Sequence, residues 1–590
     1  MKRFFVIIFL LLACSAYAQN NFMLGENYFR QGEYEKAAQV YKSLLKKNPF
    51  NTTYLKRLIT CYQETDQYQA AEDLLQTSLR KNPAQKYLHV EIGYNYERQQ
   101  KMDLAKKEYA TALQFIDVNP SLGGIIGRMF RQNNLLDNAI TAYSKTMELN
   151  PNSNYQFQVA QIYGEKGEFE KMFDAYINLI DKNESYIGTV QRLASRYISD
   201  DPSSKNNTAL KKSLLRKSIS NPKNVWNELL SWLFSKQKEY NKAFIQEKAL
   251  FKRNAEYISN ISTLARIAFN DQDYKVAKSC FAFLLKNTNF IDEKINAELY
   301  LLRIGVALEE ENVSEQFEKV LKARGTNTNT ISIQIEYADF LTFKKSEPEK
   351  AQVILETALS FSKSKFQQAR IKLKLGEVLV FIGKFNKALI YFSQVQTKLK
   401  NHPLSQEARF KVAQTSYFKG DFDWATAQLK VLKGSTTQLI ANDAVDLFLV
   451  ISDNKPQDSI PSGLEEYAKA DLLAYQNKDP EALLILKDIY KNYQGFPVED
   501  EALFKEAQVL IKLKKYDDAL LSFEKVIALN PEGILNDDAY YQMAELYSKQ
   551  LNLPEKAKEY YQKIIFEYPS SIYLVDARKK YRELRGDTIN

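Results

Sequence analysis

Residues Gly25–Pro49, GENYFRQGEYEKAAQVYKSLLKKNP, constrain this chain more than any other stretch. They read as two short amphipathic helices joined by a tight turn at Gly32. Leu24, Gly25 and Tyr28 share one face of the first helix, and Ala37, Tyr41 and Leu44 share one face of the second. Pro49 ends the second helix, because it lacks an N–H and disfavours helix in the residue before it. The same order returns in Leu58, Tyr62, Tyr68, Ala71 and Leu75, and Pro83 follows Pro49 by 34 residues. A unit this short cannot bury its apolar face alone, so it must stack on copies of itself.

Further copies follow. Ile92, Gly93, Tyr96, Ala105 and Tyr109 form one, with a small insertion before Pro120. Gly127, Phe130, Leu136, Ala139, Tyr143 and Pro151 form the next, and Ala160, Tyr163, Gly167, Phe169 and Tyr176 another. Gly25, Gly93 and Gly127 fall where the two helices of a pair approach most closely, faced by Ala37, Ala71, Ala105 and Ala139. Larger side chains there would force the helices apart in a close-packed interior. The pattern weakens from Glu184 to Pro222 and returns at Trp226, Leu230, Phe234, Tyr240 and Ala243. Residues 291–323 and 331–361 read as two looser pairs. A regular copy starts at Leu375-Gly376, with Phe385, Ala388 and Phe392. Residues 433–462 interrupt again, around an apolar run from Ala444 to Ile451. Three regular pairs close the chain, and residues 571–585 read as a charged helix with Lys579, Lys580, Arg582 and Arg585 outward, as a terminal cap requires.

The sequence of Leu-Gly, aromatic, Ala, aromatic and Pro at this period resembles the tetratricopeptide repeat (TPR), over about thirteen helix pairs. The resemblance implies an all-α fold, a right-handed superhelix of stacked helix-turn-helix repeats. The expected division is a leader over 1–18, an N-terminal array over 19–183, an irregular helical segment over 184–224, middle repeats over 225–432, an irregular linker over 433–462, a C-terminal array over 463–570, and a capping helix and tail over 571–590. Tyr568-Pro569-Ser570-Ser571-Ile572-Tyr573 with Ala577-Arg578 resembles the repeat junctions of outer-membrane assembly lipoproteins and the Tol–Pal coordinator. That likeness implies a non-enzymatic scaffold in a Gram-negative envelope, binding a partner protein or peptide in its groove. Similar repeats also accompany secretion and gliding machines.

In this family the first helices line the groove. The corresponding positions here give the groove candidates Phe22, Phe29, Lys56, Tyr94, Arg128, Arg131 and Phe157. The Lys–Asn pairing of the family's clamp for C-terminal carboxylates is absent, which disfavours a chaperone-tail ligand. The mixture of aromatic and charged groups suits an extended or helical peptide.

The N-terminus carries a different signal. Lys2 and Arg3, the apolar run Phe4–Ala13, and Ala16-Tyr17-Ala18 before Gln19 have the form of a secretory leader. Leu11-Leu12-Ala13-Cys14 also resembles a lipobox, in which Cys14 would carry a lipid anchor. The first outcome gives an exported periplasmic protein, and the second a membrane-anchored subunit of an outer-membrane assembly, secretion or gliding machine. No later stretch is long and apolar enough to span a bilayer.

The formal charge of +9 falls by two with the leader. Over 590 residues that is too dilute for a nucleic-acid binder. Cys61 and Cys280 read as small core residues in separate repeats. His89 and His402 are the only histidines, too few and too far apart for a triad or metal cluster. No glycine-rich phosphate loop follows a strand, and the carboxylates alternate with Lys and Arg as on solvated helix faces. The expectation is therefore no catalysis, no cofactor and no metal. A helical-repeat protein that binds or cleaves glycans remains a remote alternative.

Overall fold

The computed structural model describes residues 21–432, 434, 438–455 and 461–587. The leader and Cys14 lie outside them, as do parts of the 433–462 interruption. The described residues are helical throughout, with no strand among them. The chain divides into two compact units, one of residues up to 198 with 203–229, the other of 199–202 with 230 onward.

In the first unit, helices pair by the repeat rule: Tyr34–Lys47 follows residues 21–30, then Thr52–Glu64 with Tyr68–Lys81, Leu88–Arg98 with Met102–Val118, Gly123–Gln132 with Leu136–Leu149, and Gln156–Glu165 with Phe169–Lys182. The small residues do what their spacing suggested. Ala37, Ala71 and Ala139 are fully buried and Ala105 nearly so. A Cβ on Gly127 would come 2.7 Å from the Tyr143 ring, and one on Gly25 would come 3.1 Å from Tyr41. Leu24 departs from the expected face. It is exposed while Gly25 is buried. Residues 184–222 hold a short helix, Ile187–Ala194, and a longer one, Lys205–Ser220.

The turn inside each pair has one recurring conformation that glycine marks only in part. Gly32, Asp66, Gln100, Asn134 and Gly167 all take positive φ, one per repeat. The next residue's N–H then reaches back across the helix end, as in Glu33 to the Tyr28 carbonyl (2.9 Å) and Lys101 to the Tyr96 carbonyl (3.0 Å). This six-to-one bond satisfies a terminal carbonyl. The second unit repeats the device at Gln272, Gly383, Gly420 and Lys514, among others. A side chain in the left-handed region is strained and glycine is not. Gln100→Gly and Lys514→Gly are each expected to stabilise their unit by about 0.5–1 kcal/mol, read as a higher urea midpoint.

The second unit runs through pairs such as Ile331–Phe343 with Pro348–Phe361, Lys365–Phe381 with Phe385–Lys398, and Tyr516–Leu529 after Val498–Lys512. One core joins residues from Ile295 to Val509. Its packing is not confined to adjacent repeats. Phe343 lies 5.4 Å from Phe381 and 5.5 Å from Tyr475, and Phe418 lies 5.7 Å from Tyr475, ring centre to ring centre. Gln476 donates to the Phe381 carbonyl (2.9 Å) and Asn477 to the Phe343 carbonyl (2.7 Å). The turn after helix Leu464–Tyr475 thus caps the C-terminal ends of first helices belonging to earlier repeats. Stacking on copies of itself is therefore supplemented here by contacts between repeats far apart in the chain. The helix Gln438–Asp453 buries Ala444 and Ile451.

Helix Leu574–Arg585 ends the described chain and buries Ala577. Ile572 and Val575 stay exposed beside its charged residues. No described helix is long and apolar enough to cross a membrane.

Candidate functional site

The first helices of the N-terminal unit line two cavities. One, of about 530 Å³, lies among Lys56, Tyr87, Glu91, Ile125, Arg128 and Gln132. The other, of about 790 Å³, lies among Gly124, Arg128, Arg131, Tyr155, Gln158 and Glu165, and it also includes Ile125 and Gln132. Ile125, Arg128 and Gln132 belong to both, so the two spaces form one trough across helices Thr52–Glu64, Leu88–Arg98, Gly123–Gln132 and Gln156–Glu165. Asn51 fixes the start of the first of these helices by accepting from the Thr53 and Tyr54 N–H groups. Gly124 leaves room for Tyr155, which stacks on Tyr143 at 5.0 Å.

The cations in and around this trough are not equivalent. Arg57 makes two bonds to Glu26, of 2.8 and 3.0 Å, and lies 4.3 Å over the Phe29 ring. Burial pushes the Glu26 carboxyl upward, but bonds from Tyr41 and Arg57 win and hold it below the usual carboxylate range. Arg131 donates to Gln161 (3.0 Å) and pairs with Glu165. Lys56 donates only to the neutral Gln132 amide. Arg128 is exposed and has no ion pair or side-chain hydrogen bond among the described residues.

Among these residues Glu91 is the unusual one. It is 4 % exposed, and its Oε1 has no hydrogen-bond partner. Burial raises its carboxyl above the ordinary range, against the pull of Lys56 and of the neighbouring Asn133 amide. In the second cavity Gln158 likewise has an unpartnered, buried Oε1.

Of the sequence candidates, the structure brings Lys56 and Arg128 to the first cavity and Arg128 and Arg131 to the second. Phe22, Phe29, Tyr94 and Phe157 line neither. Phe22 packs 5.7 Å from Tyr54, and Phe29 packs 5.3 Å from Tyr34. Tyr94 sits partly exposed beside Arg98, and Phe157 is partly buried. Sequence reasoning missed Glu91, Gln132 and Gln158. Glu91 had a signal: it stands three residues after Leu88 and four before Asn95, on the buried stripe of its helix.

The remaining chemistry-bearing residues have structural roles. His89 lies 2.6 Å from Glu108 and stacks near Phe115. His402 caps helix Pro403–Phe418, its Nδ1 accepting from the Leu404 N–H at 3.1 Å. Cys61 and Cys280 are free and buried, and burial pushes both thiols up to about 12. Among the described residues no cluster of His, Cys, Asp and Glu is arranged to hold a metal.

Comparison with known proteins places TPRs at both ends of the chain. Tetratricopeptide-repeat models match residues 28–90, 500–532 and 538–571. The TPR repeat-containing protein MJ1428 of Methanocaldococcus jannaschii is 22% identical over 352 residues, covering 56% of this chain and 54% of that one. The outer membrane protein assembly factor BamD of Xylella fastidiosa is 26% identical over 137 residues, covering 20% of this chain and 47% of that one. The chain spans about half the length of these curated relatives. Among solved structures, that of Naa15/Naa10 bound to HypK-THB aligns over 97% of this chain and 96% of that one, at 12% identity and a TM-score of 0.28. Yeast Tom70 aligns over 96% of this chain and 99% of that one, at 16% identity and a TM-score of 0.27.

Proposed function

We propose that this TPR chain is a non-enzymatic adaptor of a bacterial envelope, holding a segment of a partner protein along the first helices of its N-terminal unit. One observation carries the reading: two adjoining cavities, of about 530 and 790 Å³, share Arg128 and run across four successive first helices. Clefts of that size with a few converging polar groups suit a peptide better than a flat protein face. In the second unit, the ends of comparable helices are covered by the chain's own Tyr475–Asn477 turn.

A photo-crosslinking residue at Gln132 tests this, with one at the outward Lys106 as control. Crosslinks to a protein from position 132 and not from 106 are expected. Crosslinks only from 106, or equally from both, would remove the trough from the account.

The envelope assignment rests on the leader-like residues 1–18 and on the partial likeness to a protein named as an outer-membrane assembly factor. A second reading, a lipid-anchored subunit of an outer-membrane machine, rests on Leu11–Cys14 and the same likeness. The mass of the mature N-terminus separates them: Gln19 exposed, or Cys14 acylated. An intact Met1 would sink both.

A further inference from the structure

We propose that the seam between the second helices of the first two repeats, Tyr34–Lys47 and Tyr68–Lys81, takes a single-chain lipid that ends in a phosphate monoester. Its alkyl chain lies in the seam and its phosphate among Lys42, Lys46 and Lys81. This goes beyond the adaptor reading and does not depend on it.

The seam holds a cavity of about 430 Å³. Leu55 and Leu58, both buried, form its floor from the helix Thr52–Glu64, and Leu45 and Leu74 form its sides. Phe50 stands at its edge, 73 % exposed. Lys42 and Lys46 line it from one helix and Lys81 from the other. All three are exposed, and none has an ion pair or a side-chain hydrogen bond among the described residues. No residue lining the cavity is acidic. Lys42 and Lys46 stand four apart on one helix, a spacing at which like charges repel. Elsewhere the chain closes such seams itself. Lys145 reaches from one second helix to Asp117 (2.6 Å) and the Leu113 carbonyl (3.2 Å) on the one before it. Phe283 packs on Phe244 and Phe251, at 5.8 and 5.3 Å between ring centres. Lys387 pairs with Glu356 at 3.1 Å. The first seam has the cations and no acid to meet them.

Three free ammonium groups around an apolar slot call for an anion joined to an apolar chain. A phosphate monoester carries nearly two negative charges at neutral pH and three accepting oxygens, and lysine meets phosphate as a point charge. A carboxylate brings one charge and leaves more of the repulsion standing. The apolar part is not polypeptide. A helix is about 10–12 Å across with its side chains, and packed helices stand about 8–10 Å apart. The two helices of the seam both pack on Thr52–Glu64, so the space between them admits no further helix. An extended backbone would bury N–H and C=O groups against leucine with nothing to bond them. An alkyl chain has no such groups, and each methylene taken out of water adds affinity.

The test is equilibrium dialysis of alkyl phosphates against the full chain, below the concentrations at which they form micelles. Saturable binding of dodecyl phosphate is expected, weakening by about two- to fourfold for each methylene removed down to octyl phosphate. Lys42→Glu combined with Lys46→Glu should weaken dodecyl phosphate at least tenfold, while Lys106→Glu changes it less than twofold. Thr77→Trp, which fills the seam from its partly exposed wall, should abolish saturable binding. Urea midpoints show that each variant is folded, and the lysine changes lie on the surface. Dodecanoate should bind several-fold more weakly than the phosphate, and dodecyltrimethylammonium not saturably. No saturable binding, no dependence on chain length, equal binding of the trimethylammonium or of dodecanoate, or indifference to the lysine changes would each overturn the proposal. A photo-crosslinking residue at Phe50 that captures a protein segment in the cell and no lipid would overturn it too, and give the seam to a protein partner.

Discussion

Phe392→Ala is expected to destabilise the second unit by about 3–5 kcal/mol, the range for deleting a buried aromatic ring. Phe392 is fully buried between helices Lys365–Phe381 and Phe385–Lys398, and Gly376 lies against its ring. Any Cβ at position 376 would fall inside the ring's van der Waals envelope. Gly376→Ala is therefore expected to cost about 1–3 kcal/mol by overpacking. The two sites should couple. Placed on Phe392→Leu, whose side chain is shorter, Gly376→Ala should cost clearly less than it does alone. Urea midpoints give the energies, and hydrogen exchange in the two helices localises the loss. Equal costs for Gly376→Ala in both backgrounds would show that the glycine is not there to admit the ring.

The second large effect is a pH dependence of the same unit. The Glu501 carboxyl is pushed up to about 8, first by burial and then by Asp500 and Asp453, with Asp446 adding to them. Its side chain is partly accessible, but the carboxyl is desolvated. Lys505, paired with Asp471 at 2.5 Å, pulls the other way by less than Asp453 pushes. Asp538 is pushed up to about 6, again first by burial. An acid with a raised folded pKa holds its proton more tightly when folded. The stability it contributes is complete below pH about 4.5 and is lost as pH rises through about 8. For Glu501 the loss is of the order of 5 kcal/mol. Glu501→Gln keeps the shape and cannot ionise. It should match the native chain at pH 5 and exceed it at pH 9, with the gap opening between. Parallel pH profiles for the two proteins would refute the assignment.

Much of the fold was legible because its pairing rule is local. Gly93 and Tyr109 stand in adjacent helices of one hairpin, and so do Gly127 and Tyr143. Their spacing follows from two short helices and a turn. The candidate trough was legible in part for the same reason. Lys56, Arg128 and Arg131 fall at first-helix positions that converge once repeats stack. Phe22 and Phe29 hold comparable positions but pack against Tyr54 and Tyr34. An aromatic ring that finds another within reach buries itself, whereas a guanidinium without an acid stays in water.

The turns were half legible. Gly32 and Gly167 advertise the left-handed residue, but Asp66, Gln100 and Asn134 adopt it without glycine, at a cost the surrounding repeats absorb. Glu91 shows a different limit. Its place on the buried stripe was visible, but whether it had a partner depends on side chains from other helices.

By itself, the sequence determined that this chain is helical, paired and stacked, since a 34-residue alternation of small and aromatic residues can be buried in no other way. Tertiary structure alone decided where that stack stays open. Asn477 meets the Phe343 carbonyl across 134 residues. Contacts at that separation depend on the small rotation accumulated from repeat to repeat, which no single repeat encodes.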